Sequence, residues 1–282
     1  MRSPGRMEVL EVVETRKEAE DIGTIFLSPR DHGKWESMAP GQFLMVWVPG
    51  IDEVPMSVSY KLSAPFKLGI TVQDVGEATN AICSLERGAK IGIRGPYGNG
   101  FLIPEPADID LIIGVSGGVG GASTVLAMEE AKNRGIETLN LVGARSKGLL
   151  LFEERWRNIS GRFRLSTDDG SAGEKGFVTD LLREELDKLE IRDRTLVLTC
   201  GPEMMMKAVL PILEEYSVRG QFSLERYMKC GIGICDSCSV SGKRVCMDGP
   251  VFTDGHVREL KEFGKGHRDR SGVLIPVNEC IR

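Results

Sequence analysis

Histidine is nearly absent. The 282 residues hold three, the scattered His32, His256 and His267. No acid–base triad is expected from them, and each reads as a surface residue rather than a catalytic one. Long apolar runs are missing too: none approaches the ~20 residues that a membrane helix needs. Residues 1–6 carry two arginines but no apolar run follows, so no signal peptide is expected. Nor is there an excess of positive charge. The net charge of −5 argues against nucleic acid, because phosphate binding is driven by clustered Lys and Arg. No internal repeats or low-complexity segments stand out. The expectation is a soluble cytoplasmic protein with no membrane and no nucleic-acid partner.

What is present is organisation. A chain of 282 residues favours two domains, or two and a small module. Short apolar runs at strand spacing occupy residues 7–14, 23–27, 42–48, 56–60, 68–72 and 90–94, which predicts a barrel or a sandwich. One helix is expected at 79–85. After Pro104 the texture changes. Strands at 110–115, 138–144, 162–167 and 195–199 alternate with helices at 122–133, 151–158 and 177–189. That alternation predicts a parallel α/β sheet. From about residue 221 the chain turns Gly- and Cys-rich, and the charged stretch 256–272 reads as surface.

Seven cysteines are the informative count, and four crowd one segment: Cys230, Cys235, Cys238 and Cys246. An odd number without a secretory signal does not read as a disulfide framework. The first three follow the C-x4-C-x2-C spacing of plant-type [2Fe–2S] loops. Gly231 and Gly233 let the backbone wrap tightly and bring N–H groups toward the sulfurs. Cys246 follows after seven residues, a shorter return than in plant ferredoxins. A tight hairpin with Ser241-Gly242 as its turn would close that gap. Structural zinc is the alternative, although zinc sites usually pair cysteines in two separated knuckles. Of the other thiols, Cys83 reads as buried packing and Cys280 as a free surface thiol.

Two further stretches point to a nucleotide. DLIIGVSGGVGGAS places Gly117, Gly118 and Gly120 between a strand and a helix, where backbone N–H groups favour a phosphate. Tight strand–helix packing also needs glycine, so this loop leaves both readings open. Cys200-Gly201-Pro202 ends a later strand, where open α/β sheets line their ligand crevice. A buried small thiol and a turn is the plain alternative for Cys200. Glu203, next in line, is not assigned a proton-transfer role, and Met204–Met206 read as helix packing.

Taken together these residues resemble the ferredoxin–NADP reductase superfamily. Within it the chain is most similar to the electron-transfer subunits of NAD-dependent, class 1B dihydroorotate dehydrogenase. The most specific stretch is LERYMKCGIGICDSCSVSGKRVCMDGPVF, residues 224–252. The resemblance implies a flavin-binding antiparallel β-barrel at 1–103, a Rossmann-like α/β NAD domain at 104–220 and a small [2Fe–2S] module at 221–282. It implies FAD contacts at Pro55, Met56, Ser57, Val58 and Ser59, at Gly76 and Thr79, and at Gly95. Many relatives carry Arg before the Pro; here Val54 stands there. It implies NAD contacts at Gly117, Gly118, Gly120, Cys200 and Gly201, with Gly143-Ala144-Arg145 and Asp168-Asp169-Gly170 around the nucleotide. Arg145 also suits a 2′-phosphate, which leaves NADP open. The implied partner is an FMN-containing dihydroorotate dehydrogenase catalytic subunit, in a heterotetramer of two of each. Tyr227 and Met228 are candidates for apolar contact near that partner, or for core packing. Three other functions fit the same residues: a subunit of a related flavin/iron–sulfur oxidoreductase serving ferredoxin or sulfide, a stand-alone flavin reductase, and a non-catalytic nucleotide-binding module with structural zinc.

Overall fold

The computed structural model describes residues 5–30, 32–160, 162–190 and 192–276. Six strands come first: β1 (Glu8–Ala19), β2 (Ile22–Leu27), β3 (Phe43–Val48), β4 (Asp52–Ser63), β5 (Phe66–Gln73) and β6 (Lys90–Tyr97). The short helix α1 (Gly33–Glu36) precedes β3, and α2 (Glu77–Cys83) precedes β6. The strands close in the order β1-β2-β5-β4-β3-β6, all antiparallel. β1 pairs with β2 on one side and β6 on the other, so the expected choice between barrel and sandwich resolves to a barrel with no free edge. β3 lies between β4 and β6, with Met45 opposite Pro55 on one side and Arg94 on the other.

The second unit alternates strands and helices: β7 (Leu111–Gly117), α3 (Gly121–Asn133), β8 (Glu137–Ala144), α4 (Glu153–Ile159), β9 (Arg162–Thr167), β10 (Glu174–Lys175), α5 (Val178–Asp187), β11 (Thr195–Cys200), α6 (Glu203–Glu215) and β12 (Arg219–Ser223). β7 is buried along its whole length, as expected for a parallel strand covered on both faces. α5 buries Val178, Leu181, Leu182, Glu185 and Leu186, one stripe at helical spacing.

The last segment adds β13 (Ser239–Val240), β14 (Lys243–Arg244), α7 (Val245–Asp248), β15 (Val251–Thr253), α8 (Asp254–Glu259), β16 (Gly266–Arg268) and β17 (Leu274–Pro276). It is not set apart from the sheet. The full order is β10-β9-β8-β7-β11-β12-β15, with β15 antiparallel to β12 and Phe252 opposite Phe222. The expected boundary at residue 220 therefore falls inside β12. Cys238, Val240, Val245 and Cys246 share one apolar core with Phe43, Met45 and Tyr97 of the barrel and with Val197 and Phe222 of the sheet.

Two local expectations are corrected. The charged stretch 256–272 is not all surface: Val257, Leu260 and Phe263 are 1%, 5% and 5% exposed. Their three-residue spacing places them on one side of the segment, which the intervening charges hide in the sequence. Cys83 is exposed rather than buried, because α2 turns Ala78 and Ile82 inward. Its thiol reaches the Val72 carbonyl at 3.6 Å. Cys280 lies outside the described residues. Among the described residues, no helix is long and apolar enough to cross a membrane.

Candidate functional site

The cysteine loop folds back on its own sulfurs. The backbone N–H groups of Ile232, Ile234 and Cys235 point at Cys230 Sγ from 3.5, 3.3 and 3.5 Å. The N–H of Cys246 points at Cys238 Sγ from 3.4 Å. Gly231 and Gly233 make this wrap possible at φ +69° and +78°, where an L side chain is strained. Ser241 and Gly242 are left-handed as well, at +49° and +82°, and Val240 pairs with Lys243 across them. This is the two-residue type I′ hairpin expected from the short return to Cys246.

The thiols fall into two pairs. Burial pushes the Cys235 thiol up, but hydrogen bonds from Ser237 and the Cys230 loop outweigh it and bring it down to about 6. Burial and the neighbouring Cys238 raise the Cys246 thiol to about 12. Thiols this close cannot all ionise unless cations neutralise them. Among the described residues, no three or more His, Cys, Asp or Glu side chains close around a single ion. Four thiols in two pairs, with N–H groups aimed at the sulfurs, form a donor set that fits a binuclear cluster.

The loop rests on the barrel. A Cβ on Gly231 would lie 2.8 Å from Met45 Cγ, so only glycine allows that approach. Met45 is fully buried and opposite Pro55. One strand thus separates the cysteine loop from the expected flavin strand. On that strand Pro55, Met56 and Ser57 are half-buried, whereas Val58 is 2% exposed and Ser59 fully buried. The Ser59 hydroxyl bonds the Gly69 carbonyl and Thr71 at 3.1 and 2.7 Å. Val54, an aliphatic residue with no charge to offer, is half-buried against the barrel core. Gly76 is exposed, with open space where a Cβ would stand. The Thr79 hydroxyl accepts the N–H groups of Gly76 and Val75 at 2.9 and 3.0 Å, capping its own helix. Gly95, at φ +133°, borders β3 from the side opposite Pro55.

The glycine loop lies at the switch point of the sheet. Strand order reverses between β7 and β11, which opens a crevice at their carboxyl ends. Gly117 and Gly120 face Cys200 and Gly201 across it. A Cβ on Gly120 would sit 2.5 Å from the Cys200 carbonyl oxygen, and one on Gly117 would be 2.6 Å from Met205 Sδ. Close packing therefore accounts for both glycines. Gly118 differs: it is left-handed at +52° with open space beside it, as close approach by a phosphate requires. Cys200 is 1% exposed, and burial pushes its thiol up. Arg145 and Asp169 meet through a backbone hydrogen bond at the ends of β8 and β9. α3, which starts at Gly121, packs across β4, the strand expected to border the flavin.

Other candidates take structural places. Glu203 pairs with the buried Arg226 at 2.5 Å. Met206 and Met228 are core, at 1% and 3% exposed. The Tyr227 ring lies under Lys229 and Arg270, each 5.9 Å from its centre. Three residues that bear on the site gave no signal of their own in the sequence: Met45, Glu53 and Arg94. Each stands on a barrel strand far along the chain from the cysteines, and only the tertiary pairing brings them together.

A barrel joined to a doubly wound sheet, with a four-cysteine loop between them, defines a ferredoxin-reductase-type oxidoreductase with an added cluster module. Residues 225–258 match the iron–sulfur cluster binding domain of dihydroorotate dehydrogenase B, and residues 115–210 match the oxidoreductase NAD-binding domain. The probable dihydroorotate dehydrogenase B (NAD(+)) electron transfer subunit of Methanocaldococcus jannaschii is 46% identical over 238 residues, 84% of this chain and 87% of that one. Its counterpart from Methanocella arvoryzae is 47% identical over 246 residues, 86% and 89% of the two chains. In three dimensions, a chain of the NADH-dependent reduced ferredoxin-NADP oxidoreductase superposes with a TM-score of 0.79 at 27% identity, covering 90% and 92%. The cytochrome b5 reductase domain of Ulva prolifera nitrate reductase shares the fold at a TM-score of 0.63 and 16% identity, covering 76% and 95%. The chain belongs to the family of dihydroorotate dehydrogenase B (NAD(+)) electron transfer subunits.

Proposed function

We propose that this chain is the electron-transfer subunit that carries electrons from dihydroorotate oxidation to NAD⁺ in pyrimidine synthesis. In this reading Cys230, Cys235, Cys238 and Cys246 hold a [2Fe–2S] cluster, and Pro55–Ser59, Gly76, Thr79 and Gly95 border FAD. Gly117, Gly118, Gly120, Cys200 and Gly201 form the NAD crevice. Residues 1–103, 104–220 and 221–282 serve flavin, nicotinamide and cluster in turn. When bound, the cluster supplies one-electron transfer, the flavin one- or two-electron exchange, and the nicotinamide a hydride acceptor. The chain's own part is placement. Gly231 lets the loop lie on Met45, Met45 ties it to the strand of Pro55, and α3, which follows the glycine loop, packs across that strand. Buried Cys238 and Cys246 keep water from one side of the loop, while exposed Cys235 and Ile234 face outward.

The observation that carries this reading is the contact of Gly231 with Met45, which sets the cysteine loop one strand from the flavin strand. The partner is an FMN-containing catalytic subunit, in a cytoplasmic heterotetramer of two of each. Co-expression with such a subunit should yield a complex that oxidises dihydroorotate with NAD⁺. A chain that copurifies with no such subunit and supports no dihydroorotate oxidation would contradict the assignment. The likeness to the NADH-dependent reduced ferredoxin-NADP oxidoreductase favours a second reading, a subunit serving ferredoxin. NADP-linked turnover with reduced ferredoxin, and none with dihydroorotate, would select it.

A further inference from the structure

Arg94 stands on β6 where barrel and cysteine loop meet. Its Nη1 donates to the Cys230 carbonyl at 2.7 Å and its Nη2 to the Lys229 carbonyl at 3.3 Å. The same guanidinium forks onto Glu53 of β4, with Nε on Oε1 at 2.5 Å and Nη2 on Oε2 at 2.7 Å. It also lies 5.5 Å from the centre of the Tyr97 ring. The two charged side chains are 11% and 20% exposed, so the pair is fixed and weakly screened. Lysine cannot reproduce this fork.

The carbonyl that Arg94 grips precedes Gly231, the left-handed residue that starts the wrap. Fixing that peptide aims the N–H groups of Ile232, Ile234 and Cys235 at Cys230 Sγ. Such N–H bonds, and the net charge nearby, set a cluster's potential. We propose that Arg94, braced by Glu53, is a positioning residue that clamps the cluster loop to the flavin barrel and sets the cluster's reduction potential. The proposal rests on the cluster reading of the four cysteines. As an ion pair, Arg94 and Glu53 nearly cancel. Glu53→Gln leaves a positive charge beside the cluster, which favours the added electron. Arg94→Met leaves a negative charge and frees the loop, which opposes it.

The test uses the full chain purified anaerobically with its cofactors. Iron and sulfide content, the electron paramagnetic resonance of the reduced cluster and a dye-mediated redox titration are measured for wild type, E53Q, R94M and R94K. The potential should rise in E53Q and fall in R94M. R94K keeps the charge but not the fork, so its potential should move less than that of E53Q or R94M, while it should bleach about tenfold faster under chelator, as loss of an outer-shell partner does. Should R94M fail to fold, the rise in E53Q and the bleaching of R94K decide the matter. Wild-type potential and bleaching in E53Q and R94K, or shifts of one sign in E53Q and R94M, would overturn the proposal. A wild-type chain without iron and sulfide would overturn the cluster reading beneath it.

Discussion

Gly231 packs against Met45 so closely that a Cβ on the glycine would lie 2.8 Å from the methionine Cγ. The contact joins a loop near residue 230 to a strand near residue 45, and it allows no side chain at that point of the wrap. Gly231→Ala should therefore meet both a clash and left-handed strain, at a cost of about 1–3 kcal/mol. Gly242→Ala has the strain at φ +82° but open space, and should cost about 1 kcal/mol. Thermal melting with iron analysis checks the contrast: cluster lost in the first, retained in the second.

The four cysteines should not behave like the remaining thiols. Cys238→Ser and Cys246→Ser each remove one member of a buried pair and should abolish the iron–sulfur absorbance. Cys83→Ser, on an exposed thiol away from the loop, should leave it unchanged. Iron and sulfide assays on the three variants read this directly.

Two glycines of one loop should separate packing from binding. Gly120→Ala drives a Cβ to 2.5 Å from the Cys200 carbonyl and should lower the melting temperature of the whole chain. Gly118→Ala faces open space at φ +52°, and should cost about 1 kcal/mol of stability. Its larger effect should be on nicotinamide: NADH affinity should fall ~10-fold, or about 1.4 kcal/mol. Calorimetric titration of NADH checks it.

Glu185 gives the stability a pH dependence. Its side chain is 5% exposed and meets Lys188, Arg164 and Arg162 at 2.6, 2.8 and 2.6 Å. Burial pushes the carboxyl up, but the three cations outweigh it and hold it below its ordinary range. A depressed carboxyl stabilises the fold above its unfolded value of about 4.3 and loses that contribution as pH falls through the folded value. Glu185→Gln should lose about 1–2 kcal/mol at neutral pH and lack that acid-side loss. Urea melts from pH 7 to pH 3 on both chains measure the difference.

Much of this was legible in local pattern. The short apolar runs fall on the barrel strands, DLIIGV falls on β7, and Ser241-Gly242 turns the hairpin that returns Cys246. Each is written in neighbouring residues. The return of β15 to the sheet is not, because three residues paired to β12 across a long loop leave no period to read. Nor is the bond from Arg94 to Cys230, which joins residues 136 apart. The glycine loop was half legible. Its composition announces close approach, but only the fold separates Gly117 and Gly120, packed on protein, from Gly118, which has open space beside it. Cys83 misled because a thiol beside Ile82 looks like core until the helix is turned.

The most direct measurement is anaerobic purification of the full chain with quantitation of iron, acid-labile sulfide and flavin, followed by reduction with NADH. The account predicts about two irons, two sulfides and one FAD per chain, with NADH bleaching the flavin and bringing up the resonance of a reduced [2Fe–2S] cluster. A colourless protein holding one zinc per chain and no flavin would contradict it.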